Sequence, residues 1–208
     1  GPKPWLGVEI QSNQGPWRFE DRYPMTDTTE LVWELGSSDL ASAGGGNTIR
    51  PDASSGPVYE TLPLEENLYF GGLPRLHVNV NTATVGGQIY ALLEDCDGAN
   101  CIHIGHAIMD LRYHAGGADE QTWTPVFEEI TALMEFFPMD VEVAAGHTIK
   151  LTLRSTGEDY LPSAASTAVT VVNAGSTLQL DTFDPSTREY YKTVQCTAQI
   201  CLDNLEVS

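Results

Sequence analysis

Three of the five histidines sit where they could do chemistry. His103 and His106 bracket the string HIGH, and His147 follows Gly146 at the head of HTIKLTLR. An imidazole can act as a general base, ligate a metal or anchor a turn through a hydrogen bond. If HIGH lies in a strand, residues three apart point to opposite faces, so His103 and His106 meet on one metal only across a bulge, which Gly105 is suited to supply. His147 stands where a turn becomes a strand, and Gly146 admits a backbone conformation closed to most side chains. The pair Gly146 and His147 is therefore expected to be structural, with the histidine fixing the turn by a hydrogen bond.

The other candidate centres are acidic, thiol and aromatic. In EDCDGAN (94–100), Asp95 and Asp97 have the Asp-x-Asp-Gly look of a calcium loop, yet no glutamate stands at the twelfth place of an EF-hand. An acidic hairpin turn is the simpler reading, and calcium at Asp95 and Asp97 is the one cofactor to consider. The four cysteines form two pairs of equal spacing, Cys96/Cys101 and Cys196/Cys201. A four-thiolate zinc site is the rival of two local disulfides, but it usually wants two residues between paired cysteines. Two disulfides imply an oxidising compartment and hence an extracellular or cell-surface protein. Trp5, Trp17, Trp33 and Trp123 suit a core or domain seam better than a sugar platform. No G-x-S-x-G elbow is present and no cysteine carries a nucleophile signature, so no catalytic residue is assigned.

Composition narrows the partners. Against 29 Asp and Glu stand 10 Lys and Arg, a net charge of −19. Such a field repels phosphate backbones, which argues against nucleic acid. With lysine only at positions 3, 150 and 192, the surface also suits a salty medium, where counterions screen self-repulsion. No apolar run approaches the ~20 residues that span a bilayer.

The elements that must position these groups read as strands. LPRLHVNV places Leu76, Val78 and Val80 on one face and His77 and Asn79 on the other. From Thr148, the residues Ile149, Leu151 and Leu153 alternate with Lys150, Thr152 and Arg154, the period of a half-buried strand. WLGVEI, PWRFED, TELVWEL, GQIYALLE, HAIMDLRY, EEITALMEFF, STAVTVVN and STLQLDTF supply further strands, separated by turns such as VGG, DCDGAN, HAGGADE and AAGH. SSDLASAGGGNTIRPDASSGP (37–57) reads as a surface loop. ENLYFGG (66–72) fits the strand pattern around it. Crossover helices for a parallel sheet are missing, which indicates an all-β, antiparallel β-sandwich with long loops and little helix.

Four segments, in order, resemble the C-terminal β-sandwich of the X-Pro dipeptidyl-peptidase and cocaine-esterase-like serine hydrolases. GVEIQSNQGPWRFEDRYP (7–24) is similar to the family's segment joining hydrolase to sandwich. GLPRLHVNV (72–80) is similar to the opening strand. GGQIYALLEDCDGANCIHIGHAIMDLRYH (86–114) matches a strand, a turn and a strand ending in Leu-Arg-Tyr. MEFFPMDVEVAAGHTIKLTLRS (134–155) resembles the stretch in which Ala-Gly-His leads into a late strand. The likeness covers about residues 5–175; the acidic excess, the cysteine pairs and the tail 181–208 depart from it. It implies a jelly roll similar to galactose-binding modules. It also implies that the Ser-Asp-His triad belongs to a preceding α/β-hydrolase domain, on which the sandwich packs to help shape the substrate cleft. Gly146 and His147 then correspond to the sandwich's own turn.

The expected organisation is joining strands and a Gly/Ser-rich loop over 1–58, a jelly-roll core over 59–180 and an extension over 181–208. The expected function is that of a non-catalytic C-terminal domain of such a hydrolase, with Trp5, Trp17 and Phe19 at the domain interface. The alternative is a stand-alone carbohydrate-binding or adhesive jelly roll, calcium-dependent through Asp95 and Asp97.

Overall fold

The computed structural model describes residues 8–13, 17–51, 56–114, 126–157, 160 and 167–188. They form fourteen strands: β1 Val8–Gln11, β2 Trp17–Glu20, β3 Thr29–Glu34, β4 Ala41–Gly44, β5 Thr48–Ile49, β6 Val58–Glu60, β7 Leu68–Gly72, β8 Arg75–Thr82, β9 Gln88–Asp97, β10 Asn100–Asp110, β11 Ile130–Glu135, β12 Met139–Val143, β13 Thr148–Arg154 and β14 Val169–Thr182. Helix among the described residues is confined to single 3₁₀ turns at Leu111–Tyr113 and Pro185–Thr187. Trp5, Trp123, Cys196 and Cys201 lie outside the described residues.

Period-two patterning makes the strands. In β8 every second residue is buried, and Leu76, Val78 and Val80 are wholly so. β13 buries Ile149, Leu151 and Leu153 completely. Each such side chain contributes about 1.5–3 kcal/mol by leaving water. β9 departs from the alternation, with Ile89 to Leu93 all buried. Its outer face is covered as well: Gly157 lies so close to the Tyr90 ring that an added Cβ would come within 2.4 Å of it.

The strands pair into an antiparallel sandwich. One sheet runs β10-β9-β13-β6-β4 and the other β11-β8-β14-β7-β12, with β3 and β5 also laid on β14. β7 and β8 follow one another in the chain yet flank β14, and the chain passes from one sheet to the other between β8 and β9, β10 and β11, and β12 and β13. This winding is that of a jelly roll, and the sheets do not close into a barrel. A single core of aliphatic and aromatic residues, from Trp33 to Leu180, fills the space between them. A separate ribbon of β1 and β2 lies beside the larger sheet, joined to it by the Asn13 amide bonded to the Asp140 carbonyl at 3.1 Å.

Two elements differ from the sequence expectation. The stretch 37–57 is not all loop: it supplies β4 and β5, because Leu40 and Ile49 are fully buried and pin the chain to the core. STAVTVVN and STLQLDTF are not separate strands. They form the single strand β14, whose register against β8 shifts between Val172 and Thr177. The Ser176 hydroxyl repairs that gap by donating to the Val172 carbonyl at 2.6 Å and accepting from the Asn79 amide at 2.8 Å.

Candidate functional site

The chemically equipped residues fall into three places. The first is the turn before β13. The His147 amide donates to the Ala144 carbonyl at 3.1 Å, and Gly146 between them has φ +86°, the geometry of a type II turn that favours glycine. His147 Nδ1 lies 2.8 Å from Asp95 Oδ1, and the Asp95 carboxylate is buried. A His–Asp pair is two-thirds of a hydrolytic triad. Among the described residues, however, no serine or cysteine bonds His147, so the pair has no nucleophile to activate. What it does is tie the turn to the end of β9.

Next to it lies the β9–β10 hairpin. Its two-residue loop places Gly98 at φ +58°, and Cys96 and Cys101, directly opposed in the ladder with Cα atoms 4.0 Å apart, are joined by a disulfide. Lys150 from β13 reaches Glu94 at 2.9 Å and the Cys101 sulfur at 3.1 Å. Asp97 is exposed at the strand end, whereas Asp95 points inward to His147. Among the described residues no group of three or more His, Cys, Asp or Glu is placed to hold a metal.

The second place is the β1–β2 ribbon. Its inner face carries Ile10, Arg18 and Glu20, all buried. Arg18 donates through Nε to Glu20 at 2.6 Å and through Nη1 to Asp140 at 2.6 Å, and its Nη2 also bonds Asp140. Burial disfavours the guanidinium charge, but the bonds to Asp140 and Glu20 outweigh it and raise the pKa above the ordinary value. Glu20 also meets Arg188 at 3.4 Å, and Arg188 pairs with Asp27 at 2.5 Å. Both guanidiniums pack on the Phe183 ring, at 4.5 and 5.3 Å. This network of two cations and three carboxylates clamps the ribbon to β12 and to the turn after β14. The sequence signal was the two-residue spacing of Arg18 and Glu20, which puts them on one pleat face; nothing in sequence marked their partners. On the opposite face, in register with Gln11, stands Trp17, 42% exposed; the Phe19 side chain, expected at the same interface, lies outside the described residues.

The third place is the outer face of β10. The ladder with β9 slips between His103 and Gly105. That bulge brings His103 and His106 together: His106 Nδ1 lies 3.1 Å from His103 Nε2, and His106 Nε2 lies 3.2 Å from the Tyr160 hydroxyl. The His106 ring stacks on Tyr90 with centroids 5.5 Å apart and meets the edge of Phe137 at 5.1 Å. An open hollow of about 250 Å³ lies beside them, lined in part by Pro138 and Met139. Strand periodicity alone places the two histidines on opposite faces; Tyr90, Phe137 and Tyr160 carried no sequence signal.

No helix of the described residues is long and apolar enough to cross a membrane. The model of the X-Pro dipeptidyl-peptidase C-terminal non-catalytic domain matches residues 3–198. Among solved structures, a CocE/NonD family hydrolase from Staphylococcus aureus superposes with TM-score 0.70 at 9% identity, over 88% of this chain and 42% of that one. An aminopeptidase from a marine sediment Thaumarchaeota archaeon gives 0.56 at 13%, over 88% and 37%. An alpha-amino acid ester hydrolase gives 0.55 at 12%, over 86% and 36%. The chain thus spans less than half the length of these structures, and at such identities the likeness is one of fold. No curated protein matches the chain.

Proposed function

The chain belongs to the X-Pro dipeptidyl-peptidase C-terminal non-catalytic domain family, and from that premise we propose that it packs on an α/β-hydrolase domain of a serine peptidase or esterase and helps shape that domain's substrate cleft. The observation that carries the reading is the match over residues 3–198 together with a His147–Asp95 pair that has no nucleophile among the described residues. The similar solved structures are two to three times longer than the part this chain covers, which leaves room in them for a catalytic domain.

The docking surface in this proposal is the outer face of the β1–β2 ribbon. Gln11 and Trp17 stand opposite each other there, and Trp17 is left 42% exposed. The ion-pair network behind them holds the ribbon rigid, and a rigid exposed tryptophan is a common anchor of an interface. The Cys96–Cys101 disulfide supports an oxidising, extracellular or cell-surface setting.

The test is to read the coding sequence upstream of residue 1 and to produce the encoded segment with this chain. The expected result is an α/β-hydrolase domain bearing Ser, Asp and His that co-purifies with it, an association that Trp17→Asp weakens at least tenfold. An upstream frame with no such domain, or association indifferent to Trp17, overturns the proposal.

A further inference from the structure

We propose that His103 and His106 form a surface site for one divalent transition-metal ion, Zn²⁺ or Cu²⁺, bound through His103 Nε2 and His106 Nδ1. The proposal goes beyond the docking role and does not depend on it. It rests on the separation of the two ring nitrogens, 3.1 Å. Two nitrogens each about 2.0–2.1 Å from one ion lie roughly 2.9 Å apart at a right angle and roughly 3.4 Å apart at the tetrahedral angle. The observed distance falls inside that interval, so the two nitrogens already stand at the separation one ion requires. For the contact to be a hydrogen bond, one of the facing nitrogens must carry a proton; the ion takes that proton's place.

The surroundings fit the task. A ligating histidine usually bonds through its other ring nitrogen to an oxygen that fixes its tautomer and orientation. His106 Nε2 has the Tyr160 hydroxyl at 3.2 Å for this role. Tyr90 stacked on one side and Phe137 at the edge hold the His106 ring in place. The Gly105 bulge that creates the pair is itself fixed by packing, since a side chain there would run into Met139. Glu94, directly across the ladder from His103, is held by Lys150 and does not ligate. The net charge of −19 favours cations over the whole surface. Two imidazoles select borderline transition metals over Ca²⁺ and Mg²⁺, and copper binds such donors more tightly than zinc. The remaining positions on the ion are filled by water.

The experiment is calorimetric titration of the tag-free chain with Zn²⁺, and with Ca²⁺ as control. The expected result is one zinc per chain, with proton release, and no heat from calcium. Cu²⁺ loaded at one equivalent should show two imidazole nitrogens by electron paramagnetic resonance. His103→Ala, at an exposed position, should abolish saturable zinc binding while leaving the circular dichroism unchanged. Tyr160→Phe keeps both ligands and should weaken binding about tenfold. His77→Ala, outside the site, should change nothing. Absence of saturation at millimolar zinc, or binding that survives His103→Ala, overturns the proposal.

Discussion

At the scale of single residues, the pairing of His147 with the buried Asp95 carboxylate is a matter of stability. Removing the imidazole leaves that carboxylate buried without its partner, and the cost falls on folding. His147→Ala is expected to lower the unfolding free energy by about 2 kcal/mol in urea denaturation, with His147→Gln recovering part of it. Tyr59 makes a second test at this scale. Its hydroxyl donates to Asn173 at 2.7 Å, and burial pushes its pKa up to about 12. The folded value thus lies above the ordinary one of roughly 10, so the unfolded chain ionises first. The stabilisation is full below pH 10 and is lost as pH rises from there toward 12. Urea midpoints measured from pH 8 to 11.5 should fall steeply in the wild type and less so in Tyr59→Phe. Equal slopes would remove this account of Tyr59.

Among the elements, the β9–β10 hairpin gathers the disulfide, Lys150 and the histidine bulge. A cross-link closing so short a loop stabilises by roughly 2 kcal/mol, chiefly through the unfolded chain. The double variant Cys96→Ala/Cys101→Ala should lose about that amount in guanidinium denaturation while keeping the β-rich circular dichroism. The same elements show why parts of the fold were legible. β8 and β13 bury one face only, so their alternation survives in the sequence as Leu76-Val78-Val80 and Ile149-Leu151-Leu153. β4 is exposed along its whole length and owes its strand to pairing with β6, which no local pattern records. The bulge at Gly105 was foreseeable as an option, but only packing against Met139 selects it. The network around Arg18 was invisible because Asp140, which pairs with Arg18, and Arg188, which pairs with Glu20, lie far along the chain, and only the fold brings them together.

For the molecule as a whole, two sheets enclose a single core, and several ion pairs fasten its parts together. The buried Arg18 network fastens the ribbon to β12, the His147–Asp95 pair fastens a turn, and the Arg112–Asp110 pair ends β10. For Asp110, burial pushes the carboxyl upward, yet the bonds from Arg112 prevail and hold it below its usual range. That contribution is present above pH ~4 and fades as pH falls through the folded value, so acid should loosen the end of β10. The proposal that chemistry belongs to a neighbouring hydrolase domain is open to a direct test. Steady-state hydrolysis of an Ala-Pro chromogenic amide and of a p-nitrophenyl ester by the purified chain decides the matter. The rate should equal that of buffer at every protein concentration. Turnover that rises with the amount of chain and disappears in His147→Ala would contradict the assignment.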